Sequence, residues 1–331
     1  MRYIGLDIHK KFSYAVVKDK EGNILEENRF DNNKEQISQF LINSDPTETK
    51  IVMESTGVWE WIYEFLEEKK YNVILANPLR TRAIASAKIE ASILSVFILA
   101  DLLRANLVAQ SYVPPKEIRV MRQLARQRKT LVKGRTEISN KIHALLAQQG
   151  INFPWATFCK KALLWLNELS KEQIMVKSYL HLRDQFTQEI IKVNNEIFNF
   201  AEQDEHAQLL MTIPGIGSRR SVELLAEIGE WDRFPDSSKL CCYAGLVPSI
   251  RQSGSTLKFG GLIKQANTSI KYILVETSWN IVRTKESNPL QEFYKKLEKK
   301  KGKQKAICAT ARKLCCVIYA MLRKQQPFMF L

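Results

Sequence analysis

Tyr3-Ile4-Gly5-Leu6-Asp7-Ile8-His9 opens the chain as an apolar, β-forming run with one acid set inside it. A second such run, Phe12 to Lys18, reaches the turn Asp19-Lys20-Glu21-Gly22-Asn23 before Ile24 to Phe30 returns. Strands joined this way predict an antiparallel meander. A helical stretch Lys34 to Ile42, a strand Lys50 to Met53, a helix Trp59 to Lys69 and a strand Tyr71 to Leu75 follow, ahead of Asn77-Pro78. The order is βββαβαβ. A meander continued by alternating helices and strands closes into one mixed sheet with helices on both faces.

That layout is the ribonuclease H-like one. It sets Asp7 on the central first strand, facing the end of the fourth, where Met53-Glu54-Ser55-Thr56-Gly57 marks a strand-to-helix junction. Asp7 and Glu54 then converge on one ion. Hard carboxylate oxygens suit Mg²⁺, and paired ions stabilise the attacking and leaving oxygens of phosphodiester cleavage. The same acids also suit a solvated strand end and a helix N-terminus favoured by the macrodipole.

With 331 residues and 45% apolar content the chain fills two ordinary cores, since a single core stops growing near ~300 residues. A formal charge of +15 makes a polyanion the default partner, because Lys and Arg gain affinity by releasing counterions from phosphates. The longest apolar run, Ala91 to Ala100, is about half of the ~20 residues a bilayer span requires. No leader pattern opens the chain, so no membrane and a cytoplasmic location are expected. Six cysteines, Cys159, Cys241, Cys242, Cys308, Cys315 and Cys316, lack metal-ligand spacing. They read as reduced, buried apolar residues.

From Pro114 to about Gly150, Lys116, Arg119, Arg122, Arg126, Arg128, Lys129, Lys133, Arg135 and Lys141 stand against only Glu117 and Glu137. Ile118, Met121, Leu124, Leu131, Ile138, Ile142 and Leu145 recur at helical spacing, with a break near Arg128. This predicts a long amphipathic helix with a phosphate-binding basic face, or a solvated charge run. A second helical pattern, Glu172 to Phe200, pairs with it as an antiparallel coiled coil separating two domains. The expected organisation is residues 1–110, a helical connection 111–205, and a mainly α domain 206–331.

The last domain begins at Leu210 to Gly217, followed by Ser218-Arg219-Arg220 and a helix Ser221 to Ile228. Gly215 and Gly217 before a helix resemble a helix-hairpin-helix element, whose amides hold a backbone phosphate; an ordinary αα-turn is the plainer reading. Leu240 to Pro248 leads into Arg251-Gln252-Ser253-Gly254-Ser255. A hydroxyl beside glycine, with Arg251, Lys258 and Lys264 nearby, suits attack on a phosphodiester. Taken alone, Ser-Gly in a polar loop is a turn. Lys295 to Lys305 reads as a mobile or phosphate-bound basic run, and Ala306 to Leu322 as a buried final helix.

Ile4 to Lys10, Glu54 to Gly57, Leu99 to Arg104, Tyr112 to Pro115, Thr212 to Gly217 and Gly245 to Gly254 together resemble, in order and spacing, the IS110/IS1111 family of DEDD transposases. The resemblance spans nearly the whole chain. It implies a RuvC-like N-terminal domain, a coiled-coil connection and a C-terminal domain with a nucleophilic serine. It also implies DNA recombination directed by a structured guide RNA, Mg²⁺, and assembly as a homo-oligomer, dimer or tetramer. Carried onto this chain, the serine matches Ser253, with Ser255 the weaker candidate, and Asp7 and Glu54 match the first two acids. The other two acids fall on Ser92 and Ser95.

Glu90 lies about 200° around a helix from Ser92. Asp101 matches a residue that the family carries besides its four acids. Losing two anionic ligands weakens Mg²⁺ binding, and the segment turns apolar, suited to a buried helix. Ala266 stands where the family has glycine, which puts a turn in question. Three readings follow: an active serine transposase, an impaired copy that still binds nucleic acid, and a plain ribonuclease H-like junction nuclease. The last leaves Ser253 unexplained.

Overall fold

The computed structural model describes residues 1–55, 57–85, 92–253, 256–285 and 287–329. It divides into two compact units, Met1–Val113 and Pro114–Leu331. No helix among the described residues is long and apolar enough to cross a membrane.

In the first unit, β1 (Arg2–Ile8), β2 (Phe12–Lys18) and β3 (Ile24–Asp31) form the meander. Helix α1 (Lys34–Phe40), β4 (Thr49–Glu54), α2 (Trp59–Glu68) and β5 (Asn72–Ala76) complete the βββαβαβ order. The sheet runs β3-β2-β1-β4-β5, with β4 parallel to β1 and β5 parallel to β4. This is the ribonuclease H-like arrangement. Strand alternation sends Ile4, Leu6 and Ile8, with Ile51 and Met53, into one core with Ile37, Phe40, Ile62 and Leu66 of α1 and α2. Each such side chain contributes roughly 1.5–3 kcal/mol on burial.

Helix α3 (Pro78–Ala85) precedes α4 (Ser92–Arg104). Val96, Leu99, Ala100 and Leu103 of α4 are buried, and Leu99 and Leu103 pack with Val52 and Ala76 on the opposite sheet face. Gly5 allows that approach: a Cβ there would stand 2.4 Å from the Val96 carbonyl oxygen. The obstacle is backbone, so it cannot swing aside. Gly5→Ala is therefore expected to destabilise the first unit by about 1–3 kcal/mol, as overpacking does. A urea unfolding midpoint unchanged from the parent would rule this out.

In the second unit, α5 (Lys116–Gln148) and α7 (Ile174–Gln203) run antiparallel, with α6 (Lys160–Ser170) between them in sequence. Gly134 faces the Phe186 ring, and Arg128 Nε donates to Asn194 Oδ1 at 2.6 Å. The long helix expected here is α5, which runs unbroken for 33 residues through the gap in apolar spacing at Arg128. Arg128 occupies the packing seam as a satisfied polar residue, which interrupts the apolar period but not the helix.

The segment 111–205, expected as a helical connection, holds α5, α6 and α7. Met121, Val193, Ile197 and Ala201 share one core with Leu210, Val222, Leu240 and Leu314, so one half of the helical pair belongs to the C-terminal unit. Its other half has a smaller core, Ile142, Leu146, Leu166 and Val176. The unit continues through α8 (Glu205–Met211), α9 (Ser218–Ile228), α10 (Ser237–Tyr243), the hairpin β6 (Pro248–Ser253) and β7 (Thr256–Leu262), then α11 (Thr268–Val282), α12 (Pro289–Lys301) and α13 (Lys303–Lys324).

The basic run Lys295 to Lys305 is helical, ending α12 and starting α13 around Gly302 at φ 78°. Ala306, Thr310, Leu314, Ile318 and Leu322 give α13 its buried stripe. Cys241 and Cys315 are buried, but Cys159 and Cys242 are exposed, against expectation. Cys241 and Cys316 sulfurs lie 3.6 Å apart, and hydrogen bonding with Cys315 pushes the Cys241 thiol up to about 12.

Candidate functional site

Pairing between β1 and β4 sets Leu6 opposite Met53. One step further along both strands come Asp7 and Glu54, on the face that α4 covers. Asp7 is mostly shielded, its side chain 16% exposed, and its Oδ2 lies 3.2 Å from His9 Nε2. His9 sits two residues on, on the same strand face, and its ring also meets Phe12. The sequence reading gave His9 no role; its spacing from Asp7 was the available signal.

Helix α4 runs against the direction of β1. Gly5 meets Val96 and Ala100, and Lys18, paired with Tyr3 near the start of β1, reaches Asp101 at 2.6 Å. The first turn of α4, which holds the backbone of Ser92 and Ser95, therefore extends toward the Asp7 and Glu54 end of the sheet. Positions 92 and 95 precede the buried Val96 and Leu99 by one turn. The side chains of Ser92 and Ser95, and Glu90 entirely, lie outside the described residues. Asp101 is engaged with Lys18 and Arg104.

Among the described residues, no group of three His, Cys, Asp or Glu side chains converges. Mg²⁺ takes oxygen ligands in near-octahedral geometry, commonly one or two carboxylates completed by water and substrate phosphates. Asp7 and Glu54 are the two acids that the sheet brings to this end, and Asp7 is contacted by His9. Two carboxylates fit the protein's share of a Mg²⁺ shell that water and substrate phosphates complete.

Ser253 is the last residue of β6 rather than part of an irregular loop, in register with Thr256 of β7. Arg251 stands opposite Lys258, and Lys258 and Lys264 are exposed. Gly254 and Ser255 lie outside the described residues. Ala266 keeps a negative φ, whereas Gly245 takes φ 70°. A Cβ on Gly245 would stand 2.6 Å from that of Ala266, so alanine is accommodated because its neighbour is glycine.

The turn between α8 and α9 places Gly215 at φ 87°, a conformation that favours glycine. Gly217 then caps α9 without a side-chain bond, and Arg220 Nη1 donates to the Gly215 carbonyl at 2.8 Å. Packing of α9 against α5 joins two basic segments that are far apart in sequence. Arg126, Arg128 and Lys129 with Arg219 and Arg220 line a cleft of about 240 Å³, together with Glu223, Glu227, Ser269 and Tyr272.

Glu227 is the buried hub of this cleft. It accepts from Arg126 Nε at 3.2 Å, Arg126 Nη2 at 3.3 Å and Asn267 Nδ2 at 2.7 Å. Burial pushes the Glu223 carboxyl up, against the pull of Arg219 and Arg128. Burial and the neighbouring Arg219 charge also hold Arg128 below the usual guanidinium range. Several cations thus crowd one hollow.

Other predicted phosphate contacts are spent inside the fold. Arg119 is 8% exposed and donates to the Pro114 carbonyl; Arg122, its side chain 17% exposed, donates to the Ala226 carbonyl. Helix periodicity alone did not reveal that α9 would cover the Arg122 side of α5. Lys133 remains exposed beside Glu137, and Arg135 is half-buried.

Residues 4–151 match the family model DEDD_Tnp_IS110, described as a transposase, and residues 207–295 match that of the transposase IS116/IS110/IS902 family. The transposase for insertion sequence element IS1328 of Yersinia enterocolitica is 25% identical over 333 residues, with 98% of each chain covered. The pilin gene-inverting protein of Moraxella bovis is 28% identical over 348 residues, covering 98% of this chain and 97% of its own.

Proposed function

Since the chain belongs to the IS110 family of transposases, we propose that it acts on DNA through Ser253 and that its metal-assisted half is impaired. The Ser253 hydroxyl attacks a phosphodiester phosphorus. A phosphoserine ester forms, and the displaced DNA hydroxyl leaves with the serine proton. In the return step a hydroxyl of the partner strand attacks the phosphoserine and regenerates the serine. Mg²⁺, when bound, supplies charge neutralisation at the scissile oxygens. Asp7 and Glu54 are the residues that would hold it. No step is assigned to the ion, because Ser92 and Ser95 leave it without two of its ligands.

Around that serine, Arg251, Lys258 and Lys264 bring positive charge to the strand being cut. Arg126, Arg128, Lys129, Lys133, Arg135, Arg219 and Arg220, with the Gly215-Gly217 turn, provide phosphate contacts for DNA and for a structured guide RNA. Arg119 and Arg122 support this surface from within rather than touching nucleic acid. Apolar side chains left exposed along α7, namely Met175, Leu182, Ile191 and Phe198, support assembly as a homo-oligomer, dimer or tetramer. Likeness to a protein named for inverting a pilin gene supports strand exchange between DNA sites.

A single observation carries the impaired reading: the helix on the acid-bearing face of the sheet has serine at 92 and 95, the positions that the resemblance assigns to the remaining acids. A plain ribonuclease H-like nuclease gives the second unit no task. The test incubates the unmodified chain and Ser253→Ala with cognate RNA, donor and target DNA and Mg²⁺, followed by denaturing gels. The unmodified chain is expected to bind nucleic acid and to yield little recombinant, and Ser253→Ala to form no covalent protein–DNA adduct. Efficient recombination by the unmodified chain would sink the impaired reading; an adduct with Ser253→Ala would sink the assignment of the nucleophile.

A further inference from the structure

The cleft between α5, α9 and α11 has a composition that the basic-surface reading does not by itself explain. Its floor is neutralised: Arg126 and Asn267 saturate Glu227, and Glu223 lies by Arg128. Its rim is not. Lys129 is exposed and Arg219 half-exposed, and Arg220, held by one carbonyl, adds a further cation to the lining. Beside these cations, on the first turns of α11, stands Tyr272, 67% exposed. A tyrosine ring facing solvent at the edge of a cationic hollow suits a nucleobase, since bases stack on aromatic faces while cations track the backbone.

At about 240 Å³ the hollow is far too small for a duplex, whose grooves alone are about 6–12 Å wide. It suits a phosphodiester with the sugar and base attached to it. We infer that this cleft holds one unpaired nucleotide of a single strand, its phosphate among Lys129, Arg219 and Arg220 and its base against Tyr272. The inference rests on the nucleic-acid reading given above and deepens it, from a basic surface to a strand-selective pocket. Glu223, facing the same hollow, opposes the phosphate and limits its affinity.

The experiment measures fluorescence anisotropy of short labelled oligothymidylate, oligouridylate and a duplex of equal length, using the full chain, Tyr272→Ala, Tyr272→Phe and Glu223→Gln. Tyr272→Ala is expected to weaken single-strand binding by about tenfold or more, as loss of one stacked base does, and to leave the duplex unchanged. Tyr272→Phe retains the affinity, and Glu223→Gln tightens it. A loss on the deoxy strand, the ribo strand or both supports the pocket and tells which strand enters. Equal loss on single strand and duplex, or no loss at all, overturns it. Failure of the unmodified chain to bind any strand would instead remove the nucleic-acid reading, and this inference with it.

Discussion

Replacing Ser92 and Ser95 together by aspartate is expected to raise Mg²⁺-dependent strand cleavage by two orders of magnitude or more. Two carboxylates from β1 and β4 leave a hard cation to complete its shell with water, and two more would come from the first turn of α4. Even partners in the outer shell of a metal site are worth about 10–100-fold in affinity or activity, so two direct anionic ligands set that range as a floor. The fold accepts the change. Positions 92 and 95 are helical, and aspartate and serine have similar helix propensities, so the backbone is expected to hold. A titration of cleavage against Mg²⁺ concentration checks both parts, with Ser253→Ala added to the same background as the control that removes the covalent adduct. A doubly substituted chain that folds but shows the parent's metal dependence would mean that the serines are not what holds activity down.

The parts of this chain that were legible from sequence are those where one period and one neighbour decide the outcome. Ile4, Leu6 and Ile8 alternate because one sheet face packs on α1 and α2, and that alternation alone leaves Gly5 and Asp7 on the other face. The acid pair followed from strand order, since β1 and β4 are adjacent and parallel. What was not legible depends on which long-range surfaces meet. Nothing in α5 says that Arg119 and Arg122 are buried while Lys129 stays outside; for Arg122 the packing of α9 decides it. The gap in apolar spacing at Arg128 was legible, but its cause was not, because the partner that satisfies it, Asn194, lies on another helix. Ser253 was read as loop because Ile250 and Phe259 of its hairpin are exposed, which leaves no buried face to print an alternating pattern.

Glu227→Ala is expected to destabilise the second unit by about 3–5 kcal/mol, the range found when one partner of a buried ion pair is removed. Glu227 is 4% exposed, and its carboxylate joins three elements: Arg126 and Arg122 on α5, its own helix α9, and Asn267, which caps α11 by accepting from Ser269 and Ile270 amides. Truncation leaves the Arg122 guanidinium, its side chain 17% exposed, without its countercharge, and frees the Asn267 amide that orients the cap. Arg126, whose side chain is 63% exposed, recovers water and contributes less. For a domain of about 150–250 residues each kcal/mol moves the melting temperature by roughly 2–4 °C, so the expected drop is about 6–20 °C, read by thermal unfolding at neutral pH. Glu227→Gln separates charge from hydrogen bonding: its carbonyl oxygen still accepts from Asn267, so it falls between parent and alanine if both contribute. A glutamine variant as unstable as alanine would assign the whole effect to the ion pair with α5, and an alanine variant as stable as the parent would show that the buried carboxylate holds nothing together.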